Sequence, residues 1–236
     1  MEPSAAQNRR AVLVTGAGGA LGGHVCEAFA HAGWRLGLAA YDEREHAELT
    51  RTHPEAVVRT VALHEAEAAR SGLTGLVDDL GGVDGLIHLV GGFAMSPATE
   101  SDGDELERML TLNLRTAVHA VRAVLPHLLA RGDGFVIGIG AAPGLEGGPG
   151  MASYAAGKGA LIAWLRSLRR ELAPRSVRVS IVHPLGAFDT PQNRRSMPDT
   201  DPRTFIDPAE IAATILHVAD RGARGALDEL RVLPPA

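Results

Sequence analysis

The run Ala11-Val12-Leu13-Val14-Thr15-Gly16-Ala17-Gly18-Gly19-Ala20-Leu21-Gly22 decides the fold. Four consecutive apolar residues followed at once by glycines read as a strand buried on both faces. Leu21 to Ala32 then carries apolar residues at helical spacing and stops at Gly33. Glycines between a strand and a helix let the backbone approach a phosphate, and the helix N-terminus stabilises the negative charge. A Gly-rich turn alone says little. Its position directly after the first strand gives it the phosphate-cradle reading.

The same alternation continues outward. Trp34–Ala40, Val57–Leu63, Leu86–Val90, Phe135–Ile139 and Val177–Val182 are further apolar runs, and Leu230–Leu233 is a last short one. Between them, Glu65–Leu80, Asp104–Leu129 and Met151–Leu172 have helical spacing. Pro208–Ala219 reads as a helix with Pro in its first turn and Asp207 as N-cap. Strands that are apolar throughout, separated by helices, imply a parallel sheet covered on both faces. The expected fold class is therefore α/β, a doubly wound parallel sheet of Rossmann type in a single domain. That domain is expected to span residues 1–236, with 1–9 a flexible N-terminus. The segment Phe188–Phe205, rich in Pro, Arg, Asp and Thr, is the least regular and reads as a surface excursion near the site.

Composition limits the function. The chain has 236 residues, enough to bury a large core without disulfides or metals. Its single cysteine, Cys26, rules out an internal disulfide framework and a multi-cysteine zinc site. Ten histidines show no paired ligand spacing, so no metal is expected. A net charge of -5 argues against nucleic acid as a partner. No uncharged stretch is long and apolar enough to span a bilayer, and Met1–Arg10 lacks an apolar signal core, so the expectation is a cytoplasmic protein with no membrane partner.

Of the 23 Lys and Arg residues, only Lys158 is lysine. It follows one of only two tyrosines by four positions, in Tyr154-Ala155-Ala156-Gly157-Lys158, which puts both on one helix face. An ammonium beside a phenol favours phenolate and lowers its pKa, which makes Tyr154 a usable proton donor near neutral pH. Lysine, unlike arginine, offers a compact and titratable point charge.

The glycine motif and Tyr154-x-x-x-Lys158, in this order, resemble the short-chain dehydrogenase/reductase family over nearly the whole chain. His88-Leu89-Val90-Gly91 stands where that family usually has Asn-Asn-Ala-Gly, and Asn113 where it places an Asn supporting a proton relay to the Lys. Pro184 and Asp189-Thr190-Pro191 resemble the family's segment beside the nicotinamide. The resemblance implies a nicotinamide cofactor, NADP or NAD. Gly16, Gly18, Gly19, Ala20, Leu21 and Gly22 would receive its pyrophosphate. Tyr41 and Arg44 would lie at its adenosine ribose, and Val90, Gly91, Gly92, Pro184 and Thr190 along its length. Tyr154 would be the proton donor, Lys158 would tune that phenol and hold the nicotinamide ribose, and Asn113 would support Lys158. The family commonly assembles through its two long helices, which implies a homodimer or homotetramer.

Three residues depart from the family pattern. Ala20 replaces its middle glycine, Ala141 stands at its catalytic Ser, and Ala40 ends the second strand where NAD-preferring members carry Asp. Ala20, Ala141, Gly150-Met151 and the stretch Asp189–Pro198 together resemble the dihydropteridine reductase subgroup, which reduces a quinonoid dihydropterin without that Ser. Loss of an oxyanion donor costs an ordinary ketone reductase about 10²–10³ in rate, whereas a conjugated acceptor spreads its charge and needs the donor less. The expected function is thus NAD(P)H-dependent reduction of a quinonoid or conjugated small molecule, with Phe93, Ala141 and Met151 lining its pocket. Two alternatives stand: an ordinary ketone or alcohol oxidoreductase with a Ser-less site, and a nucleotide-sensing protein with little catalysis. Ser153 is a poor substitute for the missing Ser, since it precedes Tyr154 and points about 100° away on a helix. For the cofactor, Arg44 suits a 2′-phosphate while Asp42 and Glu43 oppose it; the balance predicts that both dinucleotides are accepted, NADPH slightly ahead.

Overall fold

The computed structural model describes residues 9–235, so the expectation for 1–8 lies outside the described residues. Seven parallel strands form one sheet: β1 (Ala11–Thr15), β2 (Arg35–Ala40), β3 (Val57–Thr60), β4 (Gly85–His88), β5 (Gly134–Ile139), β6 (Val177–Pro184) and β7 (Glu229–Val232). Their order across the sheet is β3-β2-β1-β4-β5-β6-β7. The chain builds outward from β1 to β3, then returns to the other side of β1 with β4. Ligands of such sheets lie in the crevice beyond the strand ends where the order reverses, here between β1 and β4. Thr15 pairs with His88 across that point.

Helices α1 (Gly22–His31), α2 (Glu43–Thr52) and α9 (Pro208–Ala219) cover one face, and α3 (Ala66–Asp79), α5 (Thr116–Arg131) and α7 (Ala152–Leu172) the other. Val12, Val14, Phe29 and Ile215 are buried on the first side, and Leu13, Leu73, Leu128 and Leu161 on the second. Alternate residues of β1 thus serve opposite cores, which is why the strand is apolar without interruption. Each fully buried Leu or Phe contributes about 1.5–3 kcal/mol, so both cores are needed to hold the sheet. Asp207 caps α9 as expected, accepting from the Ala209 N–H at 2.8 Å, with Pro208 in the first turn.

The structure differs from the sequence expectation in several places. The helix expected over Asp104–Leu129 is α4 (Gly103–Leu110) and α5, joined by a π-helical turn at Thr111–Arg115. Helix α2 was not expected, because its apolar content is low. It is held by a cap instead: Asp42 accepts from the Glu45 N–H at 2.8 Å. β4 stops at His88, so Leu89 and Val90 already belong to the loop. The excursion at Phe188–Phe205 contains a short helix α8 (Pro191–Ser196), and a five-residue helix α6 (Ala142–Glu146) follows β5. Among the described residues, no helix is long and apolar enough to cross a membrane, and no cluster of His, Cys, Asp or Glu is arranged to hold a metal.

Candidate active site

The glycine loop sits at the reversal point. Gly16 has φ +76°, and a Cβ there would lie 2.9 Å from the Val90 N. A Cβ on Gly22 would run into the carbonyls of Gly16 and Ala17. The loop therefore closes tightly against the exit of β4 while Gly18, Gly19 and Ala20 stay exposed. Leu21 is buried and anchors the start of α1. This is a cradle that side chains would fill, and it fits a pyrophosphate on the N-terminus of α1.

His88, at the end of β4, is buried and shares a hydrogen bond of 2.8 Å with the Thr15 hydroxyl. Burial, helped by the Lys158 charge, pushes its imidazole down to about 3, so it is neutral. Thr116 lies 3.3 Å from its other nitrogen. His88 is thus a packed strand residue that joins β4 to β1 and to α5.

Asn113 lies in the π turn, fully buried. Its amide donates to the carbonyls of Gly92 at 3.1 Å and Met109 at 3.0 Å, and its Oδ1 accepts from the Gly92 N–H at 3.2 Å. Single-turn π insertions inside helices often mark functional sites. Here the side chain grips the chain leaving β4. A Cβ on Gly91 would lie 2.8 Å from Asn113 Oδ1 and 3.2 Å from Lys158 Nζ, so Gly91 rests directly against both. Gly157 lets α7 approach the π turn, since a Cβ there would sit 2.7 Å from the Met109 carbonyl.

Tyr154 and Lys158 share a face of α7 as the spacing predicts, and Lys158 is 7% exposed. Its Nζ donates to the Ile139 carbonyl at 3.0 Å. The electrostatics differ from the sequence expectation. Burial drives the Lys158 ammonium down to about 8, and burial pushes the Tyr154 phenol up to about 12. Burial alone moves the phenol, and the Lys158 ammonium donates to the Ile139 carbonyl instead of lowering it. The phenol consequently holds its proton across the physiological range.

The loop after β4 supplies the outer wall. Phe93 meets Tyr154 edge to face, with ring centroids 5.0 Å apart, yet Phe93 and Met95 are more than half exposed. Ser96 N–H donates to the Gly150 carbonyl at 2.8 Å. The hydroxyls of Ser96 and Ser101 donate to Glu105 at 2.6 and 2.7 Å, and Ser101 bonds Ser153 at 2.8 Å. Sequence reading missed this cluster, whose members come from the loop, α4 and α7. It ties the Phe93 loop to the first turn of α7 and takes up the Ser153 hydroxyl. Ala141 is buried two residues past β5, at the N-cap of α6, and Met151 sits immediately before α7.

Pro184 ends β6, buried. Thr190 caps α8 by accepting from the Asn193 N–H at 3.1 Å. Arg194 is held by Asp189 through two hydrogen bonds of 2.5 and 2.7 Å, so its charge is already matched. At the far end of the cleft Tyr41 is 72% exposed. Arg44 lies exposed on α2, where its charge acts on Glu48. The acid at the cleft is Glu45, three residues beyond Asp42. The Asp42–Glu45 spacing, an acid at the N-cap and another at the third helical position, was a readable signal for the helix. Nothing local signalled where the Glu45 carboxylate would go.

A family model for short chain dehydrogenases matches residues 10–201. An uncharacterised oxidoreductase of Staphylococcus saprophyticus is 29% identical over 232 residues, covering 95% of this chain and 97% of its own. Cyclopentanol dehydrogenase of Comamonas testosteroni is 29% identical over 196 residues, 80% of this chain and 76% of its own. The crystal structure of a short-chain dehydrogenase from Streptomyces avermitilis superposes with a TM-score of 0.82 at 25% identity, covering 94% of this chain and 87% of that one.

Proposed function

Since the chain belongs to the short-chain dehydrogenase family, we propose that it reduces a quinonoid or conjugated acceptor with a nicotinamide dinucleotide, a quinonoid dihydropterin being the model substrate. The observation that carries this reading is that alanine stands at the family's Ser position and that the hydroxyl next to Tyr154 in the chain is engaged elsewhere. Residue 141 is alanine, and the Ser153 hydroxyl is bonded to Ser101. A site without that donor gives little help to the oxyanion of a simple ketone, and suits an acceptor whose charge is delocalised. The stretch Asp189–Pro198 supports the same subgroup by resemblance.

The dinucleotide, when bound, supplies hydride. The residues that fit it are the backbone of Gly16–Gly22 for the pyrophosphate, Val90 to Gly92 along the cleft floor, and Lys158 for the nicotinamide ribose. Tyr154 holds a proton for the acceptor, and its high pKa keeps that proton in place until an acceptor of sufficient basicity is formed. Lys158, charged below about pH 8, lies on the same helix face one turn from Tyr154, anchored on the Ile139 carbonyl where it would hold the ribose. Asn113 acts as a positioning residue, since it fixes Gly91 and Gly92 over Lys158. Phe93 covers one edge of Tyr154 and shields it from water. Assembly through α5 and α7 as a homodimer or homotetramer belongs to the same proposal and rests on the resemblance.

A second reading, an ordinary alcohol or ketone oxidoreductase, is favoured by the similarity to cyclopentanol dehydrogenase. Oxidation of NADH and NADPH should be followed against a quinonoid dihydropterin, a simple quinone and a panel of ketones. Turnover with the first two supports the proposal. Turnover with ketones alone overturns it in favour of the second reading, and tight dinucleotide binding without any turnover would identify a sensor.

A further inference from the structure

Glu45 is used by nothing in the scheme above, yet its carboxylate occupies a defined place. Its Oε1 accepts from the Gly18 N–H at 2.8 Å and its Oε2 from the Tyr41 N–H at 2.5 Å. One donor belongs to the glycine loop after β1 and the other to the first residue past β2. These two ends are adjacent because β1 and β2 pair, Thr15 beside Ala39. A Cβ on Gly18 would land on the Glu45 carboxylate, so the bridge requires glycine there. The neighbouring acids are engaged elsewhere. Asp42 caps α2, and Glu43 accepts from the Thr60 hydroxyl at 2.7 Å.

In a doubly wound sheet the region beyond the second strand receives the adenosine ribose, where an acid accepts from the 2′-hydroxyl of NAD and a cation or free N–H donors take the 2′-phosphate of NADP. Here both backbone donors already carry a carboxylate. A phosphate arriving there would meet a like charge and find the Gly18 and Tyr41 donors taken, and like-charge contact in an interface is strongly unfavourable. A ribose hydroxyl, by contrast, can donate to a carboxylate that still has acceptor capacity beyond two bonds.

We propose that Glu45 selects the cofactor, accepting the ribose 2′-hydroxyl of NAD(H) and excluding the 2′-phosphate of NADP(H). This rests on the reading of the cleft as a dinucleotide site. It reverses the slight NADPH preference expected from Arg44, because Glu45, and not that exposed guanidinium, bridges the ends of β1 and β2.

The test is calorimetric binding of NADH, NADPH, AMP and adenosine 2′,5′-bisphosphate to the wild type, Glu45→Ala and Glu45→Gln. The helix cap uses the Glu45 backbone N–H, which both variants retain. Wild type should bind NADH at least about tenfold tighter than NADPH. Glu45→Ala should raise affinity for NADPH and for the bisphosphate by about 10–100-fold, and weaken NADH and AMP by up to about tenfold because the acceptor of their 2′-hydroxyl is lost. Glu45→Gln, equal in size but neutral, should move in the same direction by less. Equal affinity for the two dinucleotides in wild type, or an unchanged ratio in Glu45→Ala, overturns the role of Glu45 alone. Failure of the folded wild type to bind any of the four overturns the dinucleotide reading and this inference together.

Discussion

Lys158→Met should leave the protein at least as stable at neutral pH while abolishing activity. The ammonium is buried, and its pKa falls from 10.5 to about 8 through desolvation. Below pH 8 the folded and unfolded states are both protonated, and folding bears the whole burial penalty. Between about 8 and 10.5 the folded state releases the proton first, so stability rises with pH in that window; above 10.5 the penalty is gone. A change of that size corresponds to roughly 3 kcal/mol. Methionine fills a similar volume without charge, but leaves the Ile139 carbonyl without the 3.0 Å donor, which costs about 1–3 kcal/mol at any pH. The net gain at pH 7 is thus about 0–2 kcal/mol, turning into a loss near pH 10.5. The firm quantity is the swing of roughly 3 kcal/mol in the stability difference between the two proteins over that range. Urea unfolding of wild type and Lys158→Met at pH 7, 8.5 and 10 measures it, with other titrations cancelling in the difference. A difference that stays constant with pH would refute the desolvation argument. Full activity in the variant would refute the functional reading of this lysine.

Further expectations concern single residues. Tyr154→Phe should lower turnover by about 10²–10⁴-fold with dinucleotide affinity retained, and wild-type rates in steady-state assays would remove Tyr154 as the proton donor. Ala141→Ser should barely alter reduction of a quinonoid acceptor yet raise weak ketone turnover, by up to roughly 10²-fold; a ketone gain with no quinonoid activity in either protein would favour the ordinary-reductase reading. Glu229 is held at about 2, mainly by the Arg166 hydrogen bonds and further by His183, so its folded pKa lies below its ordinary 4.5. Its stabilisation is therefore present above about pH 4.5 and fades as pH falls toward 2, and the stability gap between wild type and Glu229→Gln should shrink from pH 6 to pH 3 in thermal unfolding.

Features that depend on neighbours in the chain were legible from the residues. The strand–glycine–helix opening, the Tyr154–Lys158 spacing and the Asp207–Pro208 start of α9 are local, because backbone preference, helical periodicity and capping act over a few residues. The order of elements was enough to give a parallel sheet, and with it the place where the cleft must lie. What depends on contacts between distant segments was not legible. The π turn and the grip of Asn113 on Gly92 join positions 21 residues apart. The bridge from Glu45 to Gly18 spans 27. The serine–glutamate cluster joins Ser101 to Ser153 across 52. The charge state of Lys158 was likewise outside the reach of spacing. The sequence determined that an ammonium and a phenol share a helix face, but how much water each loses was decided only by the closure of β5, the β4 loop and the π turn around them, and that burial moves both groups.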